Sequence, residues 1–382
     1  MSAVVVVGVG MIPFGRHPEM TVAGMGADAA RLALRDAGIS PQHVGMGFFG
    51  NVLAGRLFGD ATIGQNALWD VGIHRIPIVN VENACTSGST AFVLACDAVA
   101  AGQVDVAIAV GSEKLFVPDV GLINSGETEL DTQLGLVAPA SFGLRAVRHM
   151  AEFGTTRAQL AQVAVKNRLH AARNPLAQFR NPMSLEEVLG SPMIVDPLTR
   201  LQCCPNADGA AAAIVCSERV ARTLPRAAVK VEAAALCSGD YESPQDLARW
   251  GTDYRGCRLA YERAGIGPED LDLVECHDAF TISEILHYEA LGLCGPGDGG
   301  RLVDEGATQL GGRVPVNPSG GLLSRGHPPG ATGLAQVFEV VTQLRGEAGS
   351  RQVEGARVGL AHCMGGDKAA DTKSCTVLVL SA

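Results

Sequence analysis

The chain opens on an apolar run, Ala3 to Val9, short enough to be a first buried strand. Arg31 to Ala37 then sets apolar and charged positions at helical spacing and closes on Gly38 with Pro41 beyond, which predicts an amphipathic helix with a glycine cap. Val44 to Val52 reads as the strand after it. The unit is written twice. Residues 31–41 (RLALRDAGISP) and 258–268 (RLAYERAGIGP) share seven residues in eleven, and the second copy is again followed by a strand pattern, Leu271 to Cys276. Further along, strand Ile78 to Val81, Cys85, a helix to Ala101 and strand Val104 to Val110 are echoed by Val314 to Asn317, His327, a helix to Leu344 and strand Arg357 to Cys363. Strands that alternate with helices in this way predict a layered, duplicated α/β architecture and exclude a β-rich sandwich.

A Pro- and Gly-containing stretch with amphipathic helix pattern separates the halves. The expected division is an N-terminal half over residues 1–113 and 201–225, an inserted loop domain over 114–200, and a C-terminal half over 226–382.

Composition narrows the class. With 382 residues, 47% hydrophobic and 18% charged, the chain fits a soluble globular enzyme, and 4% aromatics against 47 glycines requires a core of Ala, Val, Leu and closely approaching backbone. No charged and then apolar leader opens it, no apolar stretch reaches roughly eighteen residues, and the terminus Val379-Leu380-Ser381-Ala382 matches neither a lipidation box nor a peroxisomal address, so a cytoplasmic location is expected. Eleven cysteines without framework spacing or a C-x-x-C pair predict reduced thiols and no structural metal. The net charge of −10 argues against bulk binding to nucleic acid or an anionic membrane. That charge is uneven: residues 145–180 hold seven Lys and Arg against the single acid Glu152, a segment suited to a phosphate-bearing ligand, with Arg145, Arg148, Lys166 and Arg168 as candidate contacts.

Gly45-Met46-Gly47-Phe48-Phe49-Gly50 satisfies G-x-G-x-x-G, but its glycines fall inside the apparent strand rather than after it, so a nicotinamide site is not expected. Cys85 is better placed. It stands where a strand, a sharp turn and a small-residue helix meet, and a thiol at a helix start faces unpaired N–H groups and the positive end of the helix dipole, which predicts a lowered pKa.

Four segments together resemble the thiolase family over essentially the whole chain. Asn83-Ala84-Cys85-Thr86-Ser87-Gly88 is similar to the nucleophile segment. Asn317-Pro318-Ser319-Gly320-Gly321 running into Gly326-His327-Pro328-Pro329-Gly330-Ala331-Thr332-Gly333 is similar to the histidine segment, and Cys363-Met364-Gly365 to the C-x-G loop. Glu275-Cys276-His277-Asp278-Ala279-Phe280 is closer to the His-Asp-x-Phe of the sterol-carrier-type branch than to the Asn-Glu-Ala-Phe of most thiolases.

The resemblance implies a thiolase fold: two βαβαβαββ halves forming an α-β-α-β-α core, with the insertion binding coenzyme A. It implies thiolysis of a 3-oxoacyl-CoA, or the reverse condensation, through an acyl group on Cys85. His327 would accept the Cys85 proton, Cys363 would move the α-proton, and His277 would help hold the enolate. The backbone N–H groups of Cys85 and Gly365 would form a second oxyanion site, and Ser319 would contact substrate. Coenzyme A enters as a substrate, with no cofactor and no metal. A homodimer or homotetramer is expected, with a small partner of oligonucleotide-binding-type fold as a further possibility of the branch. The competing readings are a decarboxylating ketosynthase-like acyltransferase, which uses a Cys-His-His set and needs no α-carbon base, and a non-catalytic acyl-CoA-binding subunit.

Overall fold

The computed structural model describes residues 3–118, 126, 129–242, 246–368 and 370–382. The opening apolar run is β1 (Val4–Met11), buried along its whole length as a strand covered on both faces must be. Helix Val22–Ala37 follows. Thr21 starts it by accepting the Gly24 N–H, and Ala29, Ala30, Ala33, Leu34 and Ala37 recur on its buried side. Gly38 ends it in the left-handed region by donating to the Arg35 and Leu34 carbonyls, and helix Gly251–Ala264 in the second half ends likewise on Gly265.

The remaining strands of the described residues are β2 (Met46–Gly50), β3 (Ile78–Val81), β4 (Val106–Glu113), β5 (Met193–Val195), β6 (Leu198–Thr199), β7 (Gly209–Ser217), β8 (Val229–Ser238), β9 (Leu273–Glu275), β10 (Val358–Lys368) and β11 (Asp371–Ser381). β5 and β6 pair with each other, and the other nine form one sheet in the order β3-β2-β4-β7-β1-β8-β11-β10-β9. The duplication is visible in that order. In the first half β3, β2 and β4 run parallel, then β4, β7 and β1 antiparallel. In the second, β9 and β10 run parallel and β10, β11 and β8 antiparallel, while Val316 bridges Val274 in parallel where the first half has β3. The two first strands meet edge to edge, Val5 opposite Lys230 and Val6 opposite Val229.

Side-chain alternation builds the layers. Along β4, Ala107 and Ala109 join Phe92, Ala95, Leu334 and Val337 in one core, whereas Ile108 and Val110 join Met25, Ala33 and Leu68 in another. Helices Ser87–Ala100 and Pro329–Leu344 therefore lie inside, between the two half-sheets, with the paired outer helices beyond. Fully buried Phe92 and Leu334 each contribute about 1.5–3 kcal/mol. The inner helices start almost in contact: a Cβ on Gly88 would lie 2.5 Å from the Gly330 carbonyl oxygen, and one on Gly111 only 2.1 Å from it. Glycine is required there because no side chain fits between the backbones.

The insertion is less separate than the sequence suggests. Its helices Ala138–Phe153 and Arg157–Ala171 place Phe142, Ala146, Leu160 and Val163 in the same core as Leu286, Leu322 and Val377, so it is packed onto the second half. Strand limits also contract, with Val44 to Val52 reduced to β2 and Val314 to Asn317 to a bridge, because flanking residues pair too briefly to extend a ladder. The G-x-G-x-x-G segment lies on and beside β2. Among the described residues no helix is long and apolar enough to cross a membrane.

Candidate active site

β3 delivers the chain into a turn where Ala84 takes a positive φ of 47°, a conformation that costs an alanine about 1–3 kcal/mol. Local hydroxyls hold the turn. Ser87 Oγ donates to the Ala84 carbonyl at 2.7 Å and accepts the Asn83 N–H at 2.8 Å, and Thr86 Oγ1 donates to the Asn83 carbonyl at 2.6 Å. Cys85 is thereby presented just ahead of helix Ser87–Ala100. His327 occupies the corresponding place ahead of helix Pro329–Leu344, after the constrained turn in which Asn317 has a φ of 55°. Ligand atoms of Cys85, His277 and His327 all lie within 4.8 Å of one another, and the two imidazoles meet edge to face at 5.1 Å. Cys363, on β10, completes the group by donating its S–H to the Cys85 carbonyl at 3.2 Å. Two thiols and two imidazoles from distant parts of the chain thus meet in one cluster.

Thr332 Oγ1 lies 3.0 Å from the Pro328 carbonyl and 2.7 Å from His327 Nδ1. Donating to the carbonyl, it accepts from Nδ1, and that tautomer leaves the Nε2 lone pair open. Burial, with the Arg325 guanidinium adding to it, pushes the His327 pKa down to about 3, so the ring is a neutral base at pH 7. Burial likewise pushes His277 well below its ordinary value, with His327 the next cause. His277 is 3% exposed and neither ring nitrogen meets a partner among the described residues, which leaves its polar edge free for a ligand oxygen.

The lowered thiol pKa expected for Cys85 is not what the structure gives. Desolvation pushes the thiol up to about 12, the nearby Glu113 carboxylate adds to the rise, and the N–H groups of Gly366 and Cys85 itself only partly offset both. The residue is half-buried overall, but its sulfur is deep enough for burial to outweigh the helix start. Cys363 is raised further, by burial and then by Cys85. At neutral pH both sulfurs hold their protons, and neutral His327 is the group placed to receive one. Gly365 sits close behind Cys85: a Cβ there would come within 2.9 Å of the Asn83 carbonyl oxygen and 3.0 Å of the Cys85 nitrogen, so only glycine leaves the Cys85 N–H reachable.

The basic candidates are scattered. Lys166 is buried against Glu284 and also donates to the Val316 carbonyl at 2.9 Å. Arg145 is buried too, donating to the Ala370 carbonyl at 2.6 Å and stacking 4.3 Å over Trp250. Ser319 donates to Glu275 at 2.7 Å within the buried Glu275–Arg325 pair. These three are committed to the interior, because each meets an acid or carbonyl supplied by a remote element. Arg148 is exposed and paired with Glu152 at 2.6 Å, and half-buried Arg168 lies 3.1 Å from Ser324 Oγ and 4.9 Å over Phe179.

Sequence reading passed over Thr332, although it stands within the quoted histidine segment, and Glu113, which ends β4 with no local signal. Glu113 is buried, accepts from Asn51, Val52, Leu53 and Gly330, and is raised by burial to about 7.

Comparison with known proteins gives this geometry a family. Residues 4–219 match the thiolase N-terminal domain and residues 241–380 the thiolase C-terminal domain-like family. Acetyl-CoA acetyltransferase of Methanothermobacter thermautotrophicus is 42% identical over 371 residues, covering 96% of this chain and 97% of that protein. Human sterol carrier protein 2 is 41% identical over 388 residues, covering 96% of this chain and 70% of that protein. Among solved structures, the Ltp2-ChsH2(DUF35) aldolase superposes with a TM-score of 0.84 at 25% identity, covering 100% of this chain and 98% of the other. The chain belongs to the thiolase family and is an acyltransferase that moves acyl groups between coenzyme A thioesters.

Proposed function

We propose that the chemistry runs on Cys85, His327, Cys363 and His277. His327 Nε2 takes the Cys85 proton as the sulfur attacks a thioester carbonyl; the carbon–sulfur bond to coenzyme A breaks, the departing thiolate takes the Cys363 proton, and the acyl group is left on Cys85 with Cys363 as a thiolate. The backbone N–H groups of Cys85 and the Gly365–Gly366 turn hold the oxyanion of that step. Cys363 then moves the α-proton of the second acyl-CoA, while His277 and the now protonated His327 donate to the enolate oxygen. In the degradative direction the same groups cleave a 3-oxoacyl-CoA with coenzyme A.

The observation that carries this reading is a second thiol beside the first: Cys85 has both imidazoles within 4.8 Å of its sulfur, and Cys363 donates a hydrogen bond to the Cys85 carbonyl. A decarboxylating acyltransferase would use the first sulfur and the rings but would have no task for the second. Of the basic candidates, Arg148 and Arg168 keep enough solvent access to meet the phosphates of coenzyme A, which enters as a substrate with no cofactor or metal. A cytoplasmic homo-oligomer is proposed with this activity. A small partner protein is proposed as well, in keeping with the DUF35 component named in the Ltp2-ChsH2(DUF35) aldolase.

The test is intact-mass measurement after acetyl-CoA is added. One acetyl group on the wild-type chain and none on Cys85→Ala supports the assignment. An acetyl adduct that survives Cys85→Ala sinks it, and Cys363→Ala with undiminished condensation would favour the decarboxylating alternative.

A further inference from the structure

Behind that first cluster, on the far side of the His277 and Cys363 segments, lies a second cluster of titratable groups. Asp253 on helix Gly251–Ala264 is fully buried, with its Oδ2 3.1 Å from His287 Nδ1 and 3.5 Å from His362 Nε2. Both histidines are also fully buried, and their rings lie 4.3 Å apart. Each imidazole is tied to a different wall of the active site. His287 Nε2 lies 3.0 Å from the His277 carbonyl, which can only accept, so that nitrogen carries a proton. His362 immediately precedes Cys363 on β10, and strand alternation turns the two side chains to opposite faces. The carboxylate therefore reaches one active-site segment through a hydrogen-bonded ring and the other through the backbone.

Burial would push the Asp253 carboxyl up, but His362 and His287 outweigh it and hold the group below its ordinary value, as an anion. Burial and His362 push His287 the other way, towards the neutral ring, while Asp253 opposes them; because Nε2 already bears a proton, the contact between Nδ1 and the carboxylate is attractive only with a further proton between the two.

We infer that Asp253 is a positioning residue for the α-proton step: through His287 it fixes the backbone of His277, and through His362 it fixes the strand position of Cys363, so one carboxylate sets the spacing of the two groups that handle the enolate. This rests on the roles proposed above for those two residues. Acylation of Cys85 depends on it less: among the described residues neither ring hydrogen-bonds the Cys85 turn, and the link to that turn runs through the Cys363 thiol that donates to the Cys85 carbonyl. Among the described residues, Asp253 is also felt by Cys375 from β11, Cys237 from β8, Cys363 from β10, Cys257 on its own helix, Arg145 from helix Ala138–Phe153, and His277 itself.

The experiment compares two half-reactions in purified full-length protein: acetyl transfer to Cys85, followed by mass, and exchange of the acetyl-CoA α-protons in D2O, followed by NMR. In Asp253→Asn, acetyl transfer is expected to stay within about twofold of wild type while exchange falls at least about tenfold, the scale of a small misplacement of reacting groups. The rise of exchange with pH is also expected to move to lower pH, because Asp253 is among the charges that disfavour the Cys363 thiolate. The double variant Asp253→Asn/His287→Gln replaces the ion pair by two amides and guards against simple misfolding: its unfolding temperature should recover while exchange stays depressed and its pH profile displaced. Equal loss in both half-reactions, no loss in either, or exchange that recovers with stability overturns the inference but leaves Cys85 as nucleophile. One retained equivalent of transition metal would also overturn it, by making Asp253, His362 and Cys375, whose ligand atoms lie within 4.8 Å of one another, a metal centre.

Discussion

Thr332 Oγ1 stands 2.7 Å from His327 Nδ1 and 3.0 Å from the Pro328 carbonyl, so a hydroxyl that donates to the carbonyl selects the His327 tautomer with its lone pair on Nε2. Replacing Thr332 by Val keeps the shape of the helix start and deletes the acceptor, so the ring is free to adopt the wrong tautomer. Turnover is expected to fall by about 10- to 100-fold with little change in the KM for coenzyme A, as for other groups that orient a working histidine. Steady-state thiolysis kinetics of Thr332→Val check this, and a KM effect alone would contradict it.

The resting state of Cys85 can be read by alkylation. A thiol held at about 12 with a neutral base beside it is only slightly ionised at any pH near neutrality. Its reaction with iodoacetamide in the absence of substrate is therefore expected to gain about tenfold per pH unit between pH 6 and 9. A rate that levels off near pH 7 would show a thiolate–imidazolium pair instead.

Gly365→Ala should separate folding from chemistry. The added methyl projects toward the Asn83 carbonyl and the Cys85 N–H at 2.9 and 3.0 Å, where an oxyanion would be held. Loss of one such donor costs about 100- to 1000-fold in turnover. Acyl transfer is expected to fall on that scale while circular dichroism shows an unchanged fold.

Glu113 gives a stability signature with a definite sign. Its folded value of about 7 exceeds the ordinary glutamate value of 4.5, so between those limits the folded state binds more protons than the unfolded state. Its contribution is present in full below about pH 4.5 and declines as pH rises through 7, by about 3 kcal/mol at most. Urea midpoints of wild type and Glu113→Gln at pH 5 and pH 8 test this. Wild type should lose ground to the variant at the higher pH, and the opposite trend would refute the assignment.

How much of this the sequence disclosed follows from which interactions are local. The caps on Gly38 and Gly265, the repeat itself and the turns at Cys85 and His327 are written in contiguous residues, and the structure places all of them as read. The fate of the basic run was not legible. Lys166 meets Glu284, a residue 118 positions away, and nothing on helix Arg157–Ala171 marks it as a buried cation rather than a phosphate contact. The Cys85 thiol was misjudged for a related reason: helix position is a sequence property, whereas desolvation depends on what the other half of the chain lays over the sulfur.

The edge-to-edge meeting of β1 and β8 relates the two halves by an approximate twofold, and that symmetry sets Cys85 and His327 at equivalent corners of equivalent turns. An ancestral repeat that paired with its own copy would have offered the same corner twice. In the proposed mechanism the two copies differ in what they place at that corner, one the nucleophile and the other the proton carrier. Neither repeat can be active when severed from its sibling, yet the pair is a natural cut point for split-enzyme complementation.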